Sequence, residues 1–234
     1  MTFDAEGFSS FLGRLKKERN YAIISLKFIG GRCALNYLKK VPVVSTALVL
    51  INIVIYIISG FSNNGELYRA GLMSVDAVVR RREFGRIIWS MFLHADTQHL
   101  FNNMLILFFL GAMLEREIGH IRFGAFYLLS GVGAGLLSLL MKVIHEDPSG
   151  TLGASGAIFG LDGVLLAMVI LSGRRMENVT LPRVLLMIAL SLYSGFASGM
   201  TDNAAHLGGL ITGFLAGGIM CMMQNRKDKK NYEH

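Results

Sequence analysis

Six apolar runs dominate this chain: Val41 to Ile58, Leu100 to Leu114, Phe123 to Ile144, Gly153 to Leu171, Leu181 to Gly199 and Ala204 to Met223. Most approach or reach the roughly 17 to 25 residues a helix needs to cross a bilayer. In hydrocarbon a backbone must satisfy its own polar groups, so such runs form helices. The expected fold is therefore all-α, a polytopic integral membrane protein with six transmembrane helices. With 53% of its residues hydrophobic and 17% charged, the chain is more apolar than soluble domains usually are. Its 27 glycines against three prolines suit helices packed through small residues.

The runs divide the chain into three parts. Residues 1–40 form a basic, partly amphipathic N-terminal segment, 41–223 the six-helix membrane domain, and 224–234 a basic tail. The N-terminal segment is too long and too polar for the n-region of a cleaved signal, so the first span is expected to be retained. Phe8, Phe11, Leu12 and Leu15 recur at helical spacing among basic residues, which fits a helix on a membrane surface or a small solvated one. With both termini on the cytoplasmic side, 17 of the 23 Lys and Arg residues fall on that side, as the positive-inside bias requires. Of the other six, Arg69, Arg80, Arg81, Arg82 and Arg86 share the outer loop Phe61 to Gln98. That loop's length and its apolar residues, Leu72, Met73, Val78, Phe84, Ile88 and Trp89 among them, predict a membrane-associated segment between the first two spans.

The net charge of +7 comes from basic residues beside apolar runs, which points to anionic lipids rather than nucleic acid. Cys33 and Cys221 lie far apart without metal-ligand spacing, so neither a disulfide framework nor a metal site is expected. No cofactor is implied.

Polar side chains inside a span cost on the order of 2.5 to 3.5 kcal/mol each at the midplane, so those present require a reason. They are His99 and Asn103 at the start of the second span, Ser155 and Asp162 in the fourth, and Asn203 and His206 at the start of the sixth. All but Asp162 fall at one end of a six-span bundle. His99 and Asn103, four apart, share a helix face and offer donors in one direction, the makeup of an oxyanion hole. A serine needs a base to become nucleophilic, and His206 can supply it if the helices approach closely. Gly209, Gly213 and Gly217 form a small-residue stripe beneath His206, and Gly156, Gly160 and Gly163 answer it on the fourth span. Such stripes usually mean packing alone; here the same contact brings Ser155 to His206.

In Gly153-Ala154-Ser155-Gly156, His99-Leu100-Phe101-Asn102-Asn103 and Ala205-His206-Leu207-Gly208-Gly209 the chain resembles the rhomboid family of intramembrane serine proteases. The likeness covers about Val41 to Met223 and includes Met91-Phe92-Leu93-His94 and Leu114-Glu115-Arg116. It implies a Ser155–His206 dyad without a third carboxylate, in a water-filled cavity open to the outer side. His99, Asn103 and the Ser155 backbone N–H would hold the oxyanion. It further implies substrates that are single-span or polytopic membrane proteins, cut near the outer surface, and a bacterial inner-membrane location. Oligomeric state is left open.

Three positions depart from the family pattern. Gly85 replaces an aromatic residue before Arg86, so anchoring of the loop shifts toward Trp89; Phe159 replaces a tyrosine beneath the histidine, keeping the ring without its hydroxyl; and Asp162 replaces an apolar residue. Asp162 is expected to be a protonated or hydrogen-bonded carboxyl, with Thr212 as a candidate partner, or else a charge that orders water below the dyad. His94 is read as a structural hydrogen-bond donor, and His120 and His145 as solvated loop residues.

Other classes fit less well. A zinc protease lacks its H-E-x-x-H pattern, and an aspartyl protease lacks a second intramembrane aspartate. A small transporter would place its polar groups at the midplane rather than at one end. A catalytically silent relative that binds membrane proteins for quality control would be expected to lack Ser155 or His206.

Overall fold

The structure, a computed structural model, describes residues 41–61, 65–172, 179–182, 184–186, 188–189 and 202–232. The predicted N-terminal segment, 1–40, and most of the predicted fifth span lie outside the described residues. From Pro42 onward the chain forms one compact unit. Its principal helices are α1 (Val43–Phe61), α2 (Glu66–Gly71), α3 (Arg86–Trp89), α4 (Thr97–Ile118), α5 (His120–Ile144), α6 (Ser155–Leu171) and α7 (Asn203–Tyr232). Among the described residues there is no strand, only one antiparallel bridge between Met73 and Thr151.

Among the described residues four helices are long and apolar enough to cross a membrane: α1, α4, α5 and α7 as far as Arg226; α6 is apolar but has only 17 residues. α4, α5 and α7 overrun their apolar runs at polar ends, whereas α6 starts at Ser155, two residues inside its run. α4 starts at Thr97 rather than Leu100 because the Asp96 side chain accepts the His99 N–H, an N-cap that satisfies a donor the first turn leaves over. α7 continues to Tyr232, so the predicted tail of 224–234 is helical through most of its length.

Long-range hydrogen bonds define the two ends of the bundle. Tyr56 near the end of α1 meets Thr97 at the start of α4 at 2.9 Å. At the opposite end the buried Glu115 carboxylate accepts the Val44 and Ser45 N–H groups at 2.8 and 2.7 Å. It thereby covers the exposed donors, and the positive dipole end, of α1. His120 also contacts Glu115. This corrects the reading of His120 as a solvated loop residue: it opens α5 and is half-buried, because the chain reverses at Gly119 with hardly a loop. His145, after α5, is exposed as expected.

The segment from Gly65 to Asp96 is divided in its use of apolar residues. Met73, Val78, Met91 and Leu93 are buried within the protein, whereas Val79, Phe84, Ile88 and Trp89 are exposed. Arg86 holds the segment from within, donating to the Arg69 carbonyl at 2.6 Å and the Leu72 carbonyl at 3.0 Å, and pairing with Glu83.

The tightest helix pair is α6 on α7. A Cβ at Gly209 would run into the Gly156 carbonyl oxygen, and one at Gly213 into the Gly160 carbonyl oxygen. The two backbones therefore touch along the stripes that the spacing predicted. On its other side α6 meets α5, where a Cβ at Gly156 would lie 2.5 Å from that of Ala134.

Candidate active site

Ser155 is the first residue of α6, and His206 lies in the first turn of α7. The close α6–α7 packing brings them together: His206 Nε2 lies 2.9 Å from Ser155 Oγ. Phe159, one turn below the serine, stacks on the imidazole with ring centroids 4.1 Å apart and planes 18° from parallel, so the predicted aromatic support is present. His206 is buried, and its other ring nitrogen, Nδ1, has no hydrogen-bond partner among the described residues. The ring is oriented by its serine contact and by stacking rather than by a carboxylate on Nδ1.

Opposite Ser155 stand the two predicted donors. Gly153 has φ 115°, a conformation that side chains rarely adopt. A Cβ there would also come within 2.8 Å of His99 Nε2 and 3.8 Å of Asn103 Nδ2. Only a glycine lets the backbone before Ser155 pass this close to both side chains. The Asn103 amide nitrogen is buried without a partner among the described residues, an exception to the rule that buried polar groups are hydrogen-bonded. As the first residue of α6, Ser155 also contributes a backbone N–H from the turn that has no intrahelical acceptor, at the positive end of the helix dipole. The site opens into a cleft of about 380 Å³ whose lining includes His99, Gly153, Ser155, Thr151 and Asp202.

His94 packs edge-on against His99, with ring centroids 5.1 Å apart. Burial, reinforced by the neighbouring His99, pushes its imidazole down to about 4. A hydrogen bond to the Phe92 carbonyl opposes that shift. His94 is thus a buried structural group that packs against His99, and its bond to the Phe92 carbonyl fits the donor role expected from sequence.

Asp162 is buried, and its Oδ1 has no partner among the described residues. The suggested partner, Thr212, donates instead to the Gly208 carbonyl at 2.8 Å, as hydroxyls in apolar helices often do. That rotamer also packs Thr212 against Gly133 of α5.

Sequence reasoning passed over Asp202, which precedes the last apolar run and so was not counted among the intramembrane polar residues. It caps α7: one oxygen accepts the Ala205 N–H at 2.9 Å. The other accepts the Ser138 and Thr151 hydroxyls, each at 2.5 Å, and lies 3.7 Å from Lys142 Nζ. Burial would raise this carboxyl, but the two hydroxyls, the N–H and the ammonium outweigh it and hold the group below the usual carboxylate range. An aspartate just ahead of an apolar helical run is a recognisable N-cap signal.

A helical bundle in which a serine and a histidine touch beside a cleft, with four described helices long and apolar enough to span a bilayer, has the makeup of an integral membrane protein. Residues 81–223, more than half of the chain, match the Rhomboid domain. The chain belongs to the Rhomboid family. RHOMBOID-like protein 4 of Arabidopsis thaliana is 40% identical over 156 residues, covering 66% of this chain and 38% of that protein. Rhomboid protease GluP of Bacillus subtilis is 33% identical over 203 residues, 86% of this chain and 38% of the relative. Rhomboid protease AarA of Providencia stuartii is 32% identical over 194 residues, 72% of this chain and 69% of the relative. The chain spans about half or less of the length of the Arabidopsis relatives it matches.

Proposed function

We propose that this protein is an intramembrane serine endopeptidase that hydrolyses peptide bonds in membrane-spanning segments of other membrane proteins. The observation that carries the reading is the 2.9 Å contact between His206 Nε2 and Ser155 Oγ, with Ser155 lining a cleft. In this mechanism Ser155 Oγ attacks the scissile carbonyl carbon while His206 Nε2 takes the hydroxyl proton. The carbonyl oxygen becomes an oxyanion, for which His99, the Asn103 amide and the Ser155 N–H are the donors. The C–N bond breaks as His206 returns the proton to the departing amine. Water then attacks the acyl ester, giving its proton to His206, and the serine is restored.

The substrate must present an extended carbonyl, because a helix's own hydrogen bonds and side chains shield its peptide groups. Membrane-spanning helices that unwind near the surface meet that need. The orientation with the Ser155 end outward and both termini cytoplasmic rests on the Lys and Arg distribution. The exposed Phe84, Ile88 and Trp89 suit contact of the Gly65 to Asp96 segment with lipid, and nearby Arg80 to Arg82 suit anionic headgroups.

Reconstitution of the purified protein in vesicles with a single-span substrate tests the reading. Ser155→Ala and His206→Ala are each expected to reduce cleavage to background, and a serine-directed fluorophosphonate to label the wild type but not Ser155→Ala. Cleavage that persists in Ser155→Ala would refute the assignment.

A further inference from the structure

The partnerless His206 Nδ1 raises the question of what places the base relative to its serine. In a Ser-His-Asp triad a carboxylate on that nitrogen does so; here a carboxylate acts four residues earlier, through the backbone. Asp202 Oδ1 holds the Ala205 N–H, and the Asp202 carbonyl accepts the His206 N–H at 3.2 Å, so the residue shapes the turn that presents the imidazole. Its Oδ2 reaches out of α7 to Ser138 of α5 and to Thr151 in the link that enters α6. Thr151 is four residues ahead of Ser155. Its backbone pairs with Met73 in both directions, at 3.2 and 2.8 Å, and Gly153 N–H donates to the Ser90 carbonyl at 2.9 Å. Ser138 and Thr151 hydroxyls also lie 2.9 Å apart. One carboxylate thus joins the start of the histidine's helix to the strand-like link that delivers the serine.

The geometry points to Asp202 as a positioning residue for the peptidase reaction, setting the separation of Ser155 and His206 by tying the start of α7 to Thr151 and Ser138. The inference rests on the proposed Ser155–His206 mechanism. The Asp202 side chain makes no hydrogen bond to the serine or the imidazole, so its positioning effect passes through backbone and link, beside the direct pull of its charge on His206. The Lys142 ammonium at 3.7 Å, itself 3.2 Å from Asp147, balances the charge. Reacting groups tolerate little misplacement: an error of about 1 Å costs on the order of 100-fold in rate. The tie therefore belongs to turnover more than to substrate binding.

The test uses the full chain in vesicles, with kcat, KM and melting midpoint measured for each variant. Asp202→Ala is expected to lower kcat by roughly 10- to 100-fold with little change in KM. Asp202→Asn keeps a good helix cap but gives up one of the two acceptor positions, so it should recover the melting midpoint while kcat stays well below the wild type. Thr151→Val should lower kcat in the wild-type background and add little in Asp202→Ala, since both cut the same tie. If Asp202→Ala does not fold, Asp202→Asn and Thr151→Val carry the comparison, with the cycle closed on Asp202→Asn. The proposal is overturned by kcat within twofold of the wild type in Asp202→Ala. It is equally overturned if Asp202→Asn restores kcat together with the midpoint, or if Thr151→Val has the same effect in both backgrounds. Ser155→Ala is assayed alongside: residual cleavage there would sink the peptidase mechanism itself, whereas an inert Ser155→Ala beside a wild-type-like Asp202→Ala would sink only the role of Asp202.

Discussion

Each end of the bundle is organised by a carboxylate, and the two ends differ in what they leave unpaired. At the far end Glu115 accepts two N–H groups of α1 and contacts His120, so both its oxygens are used and the start of α1 is satisfied. At the Ser155 end Asp202 is equally well used, yet the Asn103 amide nitrogen and His206 Nδ1 are buried without partners among the described residues. A buried polar group without a partner costs about 1 to 3 kcal/mol. The surroundings of Glu115 avoid that cost, and those of Ser155 carry it. The contrast accords with the proposed reaction, in which a donor beside Ser155 is needed only once an oxyanion forms.

Breaking the site end alone tests the contrast most strongly. Asn103→Ala and His99→Ala are each expected to reduce kcat by roughly 10²- to 10³-fold, with the melting midpoint of Asn103→Ala unchanged or raised because the lost donor stabilised nothing. A fall in that midpoint would show that Asn103 belongs to the fold. The far end should respond in the opposite way. Glu115→Ala strips the acceptor from two helix-start donors and is expected to cost about 3 kcal/mol of stability, read as a lower melting midpoint, while the folded fraction keeps its kcat. A specific loss of kcat at constant stability would erase the distinction between the ends. The smallest effect is expected at Asp162, which lies seven residues, or about 10 Å of helix, beyond Ser155. Asp162→Asn should leave the pH profile of kcat/KM unaltered; a moved profile would make this carboxyl part of the proton chemistry and extend the site deeper into the bundle.

Much of this was legible in the residues themselves. Apolar runs announced α1, α4, α5, α6 and α7 because hydrocarbon admits few other backbone forms, and the cost of polar groups in a span singled out Ser155, His206, His99 and Asn103. The stripes at Gly156, Gly160, Gly209 and Gly213 foretold the contact that brings the dyad together, because the absence of a side chain at helical spacing is itself a packing instruction. The helix ends were less legible, since capping by Asp96 and Asp202 extends helices past their apolar runs. Partners were the least legible: His120 was expected in solvent and meets Glu115, and Thr212 was expected to meet Asp162 and bonds its own helix instead.

The residues by themselves determined which segments are long and apolar enough for membrane helices and which few polar groups stand out among them, because hydropathy and helical periodicity are local properties of a chain. Only the tertiary structure decided that one oxygen of Asp202 caps α7 while the other holds Ser138 and Thr151, and that Asn103 is left with a donor to spare. Which acceptor a donor finds depends on angles and on a few tenths of an ångström between segments far apart in the chain, and no local pattern of residues encodes that.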